Sequence, residues 1–183
     1  MPRRFRRYGA VAALLGLWAA GLHGAGAQSL RAGTEVFAVD PGKVIEVTYR
    51  SPGMMLIAHR WDTRDRFTII FLDRQHHKPA ICLAGKGFDV VLNQLTSLKL
   101  RRALNAKEAK ELLRRNPVSS WAEMVIRDDT ALEPFRALVM PVVGGSEEAF
   151  VHFDGSTYVV GFANQVFQLI SGGCRLLAAT SPH

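Results

Sequence analysis

Short runs in which apolar and polar residues alternate recur along this chain, and they constrain its fold more than any other feature. The run VIEVTY (44–49) is an example, and turn signals at Pro41-Gly42 and at 51–53 (SPG) enclose it. A period of two residues is typical of a β-strand that buries one face. Short strands joined by regular turns predict an antiparallel meander.

Eight segments carry this strand signal, four on each side of a central region that lacks it. VIEVTY is followed by MMLIAHRWD, FTIIFLD and AICLA, of which FTIIFLD is more continuously apolar. Alternation returns after Trp121 in AEMVIRD, RALVMPVV, EAFVHFD and TYVVGFA. The pair Asp154-Gly155 between the last two segments is a strong hairpin signal.

The central region has the period of a helix. Apolar residues recur there at three- and four-residue steps, on one face of an amphipathic helix: Phe88, Val91, Leu92, Leu95 and Leu98. A second helix, NAKEAKELLRRNP, has Asn105 as its N-cap and Glu108 where a capping box requires it, and it ends at Pro117. We therefore predict an α+β fold, an antiparallel sheet of short strands with two central helices packed on one face.

The N-terminal segment 1–27 has the pattern of a secretory signal. Four arginines precede an apolar run over positions 10–22, and Ala25-Gly26-Ala27 supplies the small residues that a signal peptidase requires. The run is shorter than the roughly 18 residues that a spanning helix needs. We expect cleavage between Ala27 and Gln28, one α+β domain over residues 28–183, and a periplasmic or secreted protein without a stable membrane anchor. An anchor that stays attached is the alternative.

Removal of that segment changes the charge argument. The whole chain has a formal net charge of +7, from 23 basic and 16 acidic side chains. Segment 1–27 holds four arginines and no acids, so the mature chain would keep 19 basic and 16 acidic side chains, a net of +3. This small excess removes most of the compositional support for nucleic-acid binding. We expect a protein partner in the cell envelope and no nucleic acid.

Two cysteines, Cys82 and Cys174, remain after the signal is removed. An even count in an oxidising compartment predicts a disulfide, and only one pairing exists. The bridge would close a loop of about 90 residues, which the loop-entropy estimate values at roughly 4–5 kcal/mol. Two buried free thiols, or one reactive thiol, are the alternatives. The segment NQVFQLISGGCRLL predicts a short helix that ends at Gly172-Gly173, followed by a terminal strand that carries Cys174.

The stretch RQHHKPAICLAGKGFD (74–89) brings histidines close to one cysteine. His76 and His77 are adjacent, so on a strand they would point to opposite faces and could not hold one ion together. In a loop both could turn inward with His59 or His152. Zinc, however, requires three or four ligands, with a spacing that is not visible here. We interpret QHHK as an exposed turn and expect no metal and no cofactor.

The same stretch has a nucleophile interpretation and a phosphate-loop interpretation. Cys82 as a nucleophile would need a neighbouring base, for which His59 and the two adjacent histidines are candidates. Its apolar neighbours Ile81 and Leu83 instead fit a buried structural cysteine. The segment AGKGFD lacks the Ser or Thr that follows the lysine of a Walker loop, and a tight strand-to-helix corner explains its glycines. The chain also has no CxxC, HExxH or GxSxG motif, so we expect no catalytic residues.

Two further groups of residues have both a structural and a functional interpretation. Basic side chains around the second helix form either a solvated face or a partner surface: Lys99, Arg101, Arg102, Lys107, Arg114 and Arg115. Aromatic side chains in the strands are mainly core positions. Some of them could instead line an apolar cavity, which would indicate a carrier of a small apolar ligand. The candidate lining residues are Trp61, Phe71 and Phe153.

The opening VFAVDPGKVIEVTY resembles the start of repeats in a bacterial family of unknown function, found in auxiliary proteins of gliding-motility-type ABC transporters. VLNQLTSLKLRRAL and the closing FVHFDGSTYVVGFANQVFQLI are similar to that family's helix and to its last hairpin and helix. The resemblance spans most of residues 35–170. The chain departs from the family in its paired cysteines and in lacking the transmembrane segments of the larger members. The resemblance implies an α+β module at or outside the membrane with an accessory role, and it carries over no catalytic residue.

These observations favour an exported, non-enzymatic accessory or binding module that acts through protein–protein contacts in the cell envelope. One alternative is a small envelope enzyme or metal-handling protein that uses His59, His76, His77 and Cys82. The other is a carrier of a small apolar ligand inside a curved sheet.

Overall fold

The computed structural model of the protein describes residues 32–36, 39–61, 66–73, 79–141 and 147–179. The expected signal segment with its cleavage position, and both His76 and His77, lie outside the described residues. Within the described ranges the chain forms nine β-strands and four α-helices, in this order: β1 (Val44–Arg50), β2 (Met54–Arg60), β3 (Phe67–Asp73), β4 (Pro79–Leu83), α1 (Lys86–Thr96), β5 (Leu100–Ala103), α2 (Ala106–Arg115), β6 (Ala122–Asp128), β7 (Phe135–Pro141), β8 (Glu148–Phe153), β9 (Ser156–Gly161), α3 (Asn164–Ser171) and α4 (Cys174–Leu177).

All the strands belong to one antiparallel sheet in the order β4-β3-β2-β1-β6-β7-β8-β9-β5. Two four-stranded meanders, β1–β4 and β6–β9, join through the central pairing of β1 with β6. At the Asp154-Gly155 turn both residues have left-handed backbone angles, with φ of 48° and 71°. Such angles at both central residues belong to the tight turn that matches strand twist, and this confirms the predicted hairpin.

One face of the sheet is covered by three helices that contact one another, α1, α3 and α4. The apolar face predicted for the first helix is buried, including Phe88, Val91 and Leu95. Val166 and Ile170 of α3 join it in the same core. A single sheet with helices on its inner face confirms the predicted α+β fold.

The second predicted helix, α2, is held mainly by local interactions. Asn105 accepts a hydrogen bond from the Glu108 N–H (2.9 Å), and the Glu108 carboxylate accepts one from the Asn105 N–H (3.0 Å). This reciprocal pair is the predicted capping box, which is confirmed. No residue of α2 is buried, so this helix lies on the outside of the core and does not pack on the sheet face with α1, whereas the sequence predicts that both central helices do.

Two elements differ from the sequence prediction. Leu98 lies beyond the end of α1, in an extended segment that leads into β5, a strand that the helical pattern concealed. Leu98 is nevertheless buried, and its C=O accepts a hydrogen bond from the Val36 N–H (2.9 Å). Cys174 begins the short helix α4 rather than a terminal strand, so that prediction was wrong. Gly173, with a φ of 55°, redirects the chain after α3, and the new helical turn starts there.

Candidate functional site

At the β4 edge of the sheet, a cysteine pair joins the strand to the C-terminal segment, and we call this region the disulfide corner. Cys82 of β4 and Cys174 of α4 lie at disulfide-bonding distance, with their Cα atoms 5.9 Å apart. The backbones also meet, since the Gly85 N–H donates to the Leu177 C=O (2.9 Å) and the Ala179 N–H donates to the Leu83 C=O (2.9 Å). The C-terminal segment is therefore fastened along the outermost strand and the start of α1.

The glycines of AGKGFD serve this close backbone approach. A Cβ on Gly85 would lie 2.5 Å from the Ala178 carbonyl oxygen, and a Cβ on Gly87 would overlap the carbonyl oxygen of Leu176. Real Cβ atoms do not come so close to backbone atoms, so a larger residue would displace the C-terminal segment. Packing against that segment accounts for both glycines, in agreement with the predicted tight corner.

The sequence suggested that Ile81 and Leu83 share a buried apolar environment with Cys82, but the structure places them on the opposite face of the strand. Successive residues of a strand point to opposite faces. Cys82 pairs with the buried Ile69 on the helix side of the sheet. Ile81 and Leu83 therefore point outward, where they are 69% and 46% exposed. Cys82 is a structural cysteine, partly buried against the core and paired with Cys174, but Ile81 and Leu83 do not share that environment.

His59 is not placed to act on Cys82. His59 of β2 pairs with Thr68 of β3, and Thr68 pairs with Leu83 of β4, so all three lie on the outer face. Cys82 lies on the opposite, helix side of the sheet. The His59 ring instead lies 3.5 Å from a Glu46 carboxylate oxygen and packs edge-on against Trp61, with ring centroids 4.6 Å apart. Among the described residues no group of three or more His, Cys, Asp or Glu side chains forms a candidate metal site.

The aromatic residues considered for an apolar cavity are dispersed. Trp61 is 56% exposed, whereas Phe71 lies in the core so close to Gly173 that a Cβ there would be 2.8 Å from the ring. Phe153 is on β8, five strand spacings from β3, which is about 24 Å along the sheet. In the described part of the chain these three side chains therefore do not line one cavity.

Most of the basic side chains near α2 are already paired with carboxylates. Arg101 contacts Glu148 (3.4 Å), and Arg102 contacts Glu108 (3.1 Å). Glu111 accepts hydrogen bonds from both arginines at the end of α2, Arg114 and Arg115 (2.8 and 2.7 Å), which lower its pKa to about 2. Lys99 and Lys107 have no carboxylate partner within the described ranges. The group thus resembles a solvated, ion-paired face more than an unpaired cationic surface.

Apolar side chains continue across the outer face of β2, β3 and β4. The register places Ile57 beside Ile70, and Ile70 beside Ile81, so that three isoleucines from three strands form one row. Leu72 and Leu83 flank this row on neighbouring positions of the same face. Ile70 is 39% exposed, in addition to the exposed Ile81 and Leu83. We call this set the outer apolar surface: Ile57, Ile70, Leu72, Ile81 and Leu83.

Charged side chains lie on the adjoining part of the same face, on β1, β6 and the start of β7. Glu123 of β6 lies between Arg50 of β1 (3.8 Å) and Arg136 of β7 (3.5 Å). Polarity therefore changes across one face of one sheet. The sequence contained a signal for this change, because FTIIFLD is apolar at positions of both parities, whereas a strand with a solvated outer face should alternate.

The fold and this surface define an α+β protein with a single nine-stranded antiparallel sheet in the described residues and an apolar outer patch at one edge of that sheet. No family model, no curated protein and no solved structure matches this chain. In the described ranges, no helix has both the length and the apolar character that crossing a bilayer requires.

Proposed function

We propose that this protein is an exported accessory module of the cell envelope, periplasmic or secreted, and that it binds a partner protein through the outer apolar surface. The observation that carries the proposal is the row of three isoleucines, two of them exposed, on the outer face of the strands at the sheet edge. Exposed apolar patches of this kind usually mark protein interaction sites.

The export part of the proposal is supported by the basic and apolar pattern of segment 1–27 and by the cysteine pair. Disulfides persist in oxidising compartments and are rare in the cytosol. The accessory role rests on the resemblance to auxiliary proteins of ABC transporters.

The partner that fits this surface is a protein with a flat apolar patch of its own. Full burial of a completely exposed Ile or Leu side chain yields about 1.5–3 kcal/mol. Ile81 and Leu83 still expose about two thirds and about half of their surface, so they would gain part of that value and are the natural anchors. The charged group formed by Arg50, Glu123 and Arg136 borders the patch on one side and suits a polar rim. Contact would thus combine an apolar centre with a charged margin.

The test begins with a photo-crosslinking amino acid at position 81 in cells that export the protein. The crosslinked protein is identified, purified and titrated against the wild type and against the double variant Ile70→Thr/Ile81→Thr. Threonine keeps the β-branched shape that strands favour but removes apolar contact. We expect the double variant to bind at least roughly tenfold more weakly, as loss of about 1.4 kcal/mol or more requires.

The matched control is Val125→Thr, the same kind of change on the outer face of β6, in the charged region. It should bind like the wild type, and thermal unfolding should show that all variants are folded. Unchanged affinity of the double variant contradicts the proposal. So does a crosslink at position 81 that joins only two copies of this chain, because the occupant would then be the protein itself.

A further inference from the structure

A second surface feature, a cleft on the helix side of the sheet, differs in character from the outer apolar surface. It has a volume of about 900 Å³ and lies between the start of α1, the end of β2, the start of β3 and the C-terminal segment. Asp89 is the one acidic side chain among its described lining residues. Four cationic side chains from these separate elements also line it: Arg60, Arg66, Lys86 and Arg175.

Among the described residues, these four cations lack the carboxylate partners that neutralise the arginines near α2. Within the described ranges, none of them forms an ion pair. Arg60 is held in place by neutral groups, since it donates to the Gly42 C=O (2.7 Å) and its guanidinium lies 4.6 Å above the centre of the Phe67 ring. Its Nε is buried and has no hydrogen-bond acceptor among the described residues. The cleft therefore gathers positive charge that this part of the chain does not balance.

A cleft lined by charge of one sign focuses the electrostatic field and raises the local concentration of the opposite ion. Arginine in particular presents a planar set of donors that matches phosphate and carboxylate oxygens. The α1 helix begins at the same place, and its N-cap, Gly85, supplies no capping side chain. Among the described residues the N–H groups of Lys86 and Gly87 donate to no backbone acceptor, and with the helix dipole they add to an attraction that the four cations already create.

We propose that this cleft binds a phosphate group, either on a small soluble compound or on a lipid head group. Its volume lies within the range of about 300–1,000 Å³ that is usual for ligand sites. Phe67 and Leu92, both buried, form apolar lining beside the cations. Arg60 is the fixed element of the site, while Arg66, Lys86 and Arg175 are exposed at its margin.

The test is a calorimetric titration of the purified mature protein with inorganic phosphate at neutral pH and constant low ionic strength. We expect saturable binding with one site per chain. Lys86→Gln and Arg175→Gln should each weaken it roughly three- to tenfold, because each removes one charged contact. The control Lys107→Gln removes an exposed cation of α2 that has no carboxylate partner among the described residues, and it should leave the affinity unchanged.

The two sources of phosphate are separated with vesicles of phosphatidylglycerol and of phosphatidylcholine. Sedimentation with phosphatidylglycerol vesicles that inorganic phosphate competes away supports a lipid head group, whereas phosphate binding without sedimentation supports a soluble ligand. Absence of binding to phosphate and to both vesicles overturns the proposal. Equal weakening of phosphate binding by Lys107→Gln and Lys86→Gln also overturns the proposal, because phosphate would then respond to the net charge of the protein and not to a site in the cleft. The double variant Ile70→Thr/Ile81→Thr should retain phosphate binding, so the two proposed sites can fail independently.

Discussion

Removal of the covalent link between Cys82 and Cys174 is expected to lower the stability of the protein substantially without abolishing its fold. The two cysteines are separated by 92 positions. Closure of a loop of that length lowers the entropy of the unfolded chain by about 16 cal/mol/K, equivalent to about 4.6 kcal/mol at 25 °C. Domains typically have unfolding free energies of only about 5–15 kcal/mol, so the link would supply a large share.

Contacts that do not involve the sulfur atoms remain at the disulfide corner after the link is removed. The Gly85 N–H···O=C Leu177 and Ala179 N–H···O=C Leu83 hydrogen bonds, both 2.9 Å long, still join the C-terminal segment to the sheet edge. Leu177 is fully buried in the common core. We therefore expect a folded protein in which the first loss is local protection of the amides at 177–179.

The assay compares urea unfolding of the oxidised protein, the reduced protein and the double variant Cys82→Ala/Cys174→Ala. The unfolding free energy should fall by about 3–5 kcal/mol on reduction, and the variant should behave like the reduced protein apart from the small loss of packing. Alkylation followed by mass measurement should label no thiol until reductant is added. Hydrogen exchange should show the loss of protection at 177–179, with β7, β8 and β9 little affected.

Two results would refute this reasoning. Alkylation of Cys82 in the native protein without reductant would show that the pairing is wrong. A fall of less than about 1 kcal/mol on reduction, with the fold intact, would show that the unfolded chain gains little freedom and that the loop-entropy argument does not apply here.

Two further predictions concern the corner and the outer helix. Gly87→Ala should destabilise the protein by about 1–3 kcal/mol, because the new methyl group overlaps the backbone of α4. The control Gly53→Ala places its methyl group in open space and should be neutral or slightly stabilising. Equal urea midpoints for the two variants would contradict the packing argument. Hydrogen bonds from two arginines hold the pKa of Glu111 at about 2, below its ordinary 4.5. Their contribution to α2 is therefore present above pH 4.5 and is lost as pH falls toward 2. NMR titration should show α2 amides losing protection in that window, and Glu111→Gln should reduce this pH dependence without removing it, because the hydrogen bond from the Asn105 N–H also lowers the pKa of Glu108 in the same helix.

The sheet was predictable because its strands carry their own signals. Alternation identified eight of the nine described strands, and Asp154-Gly155 identified the last hairpin. β5 was missed because it is very short, LRRA, and follows α1 without a turn signal. Its partner is β9, through pairs such as Leu100 with Val160. A strand defined by so distant a partner leaves little trace in its local sequence.

The helix at Cys174 was missed for a related reason. The segment CRLL is too short to show a helical period, and it is fixed by contacts with β4 and α1 rather than by its own propensity. Gly172 and Gly173 marked the end of α3 correctly. They did not reveal that the chain would resume a helix at once.

Both proposed sites depend on distances that no local pattern encodes. Ile57, Ile70 and Ile81 form a row only because the register of β2, β3 and β4 is fixed, and a shift by a single position would move an isoleucine to the other face. Register at this edge is in turn specified by the alternating core residues Leu56, Ala58 and their partners on β3. The apolarity of FTIIFLD on both faces is therefore not demanded by folding, which needs only the inner set. A strand that remains apolar where solvent would favour polar residues is what the proposed contact surface requires, and this is the main support for testing the outer face of the sheet first.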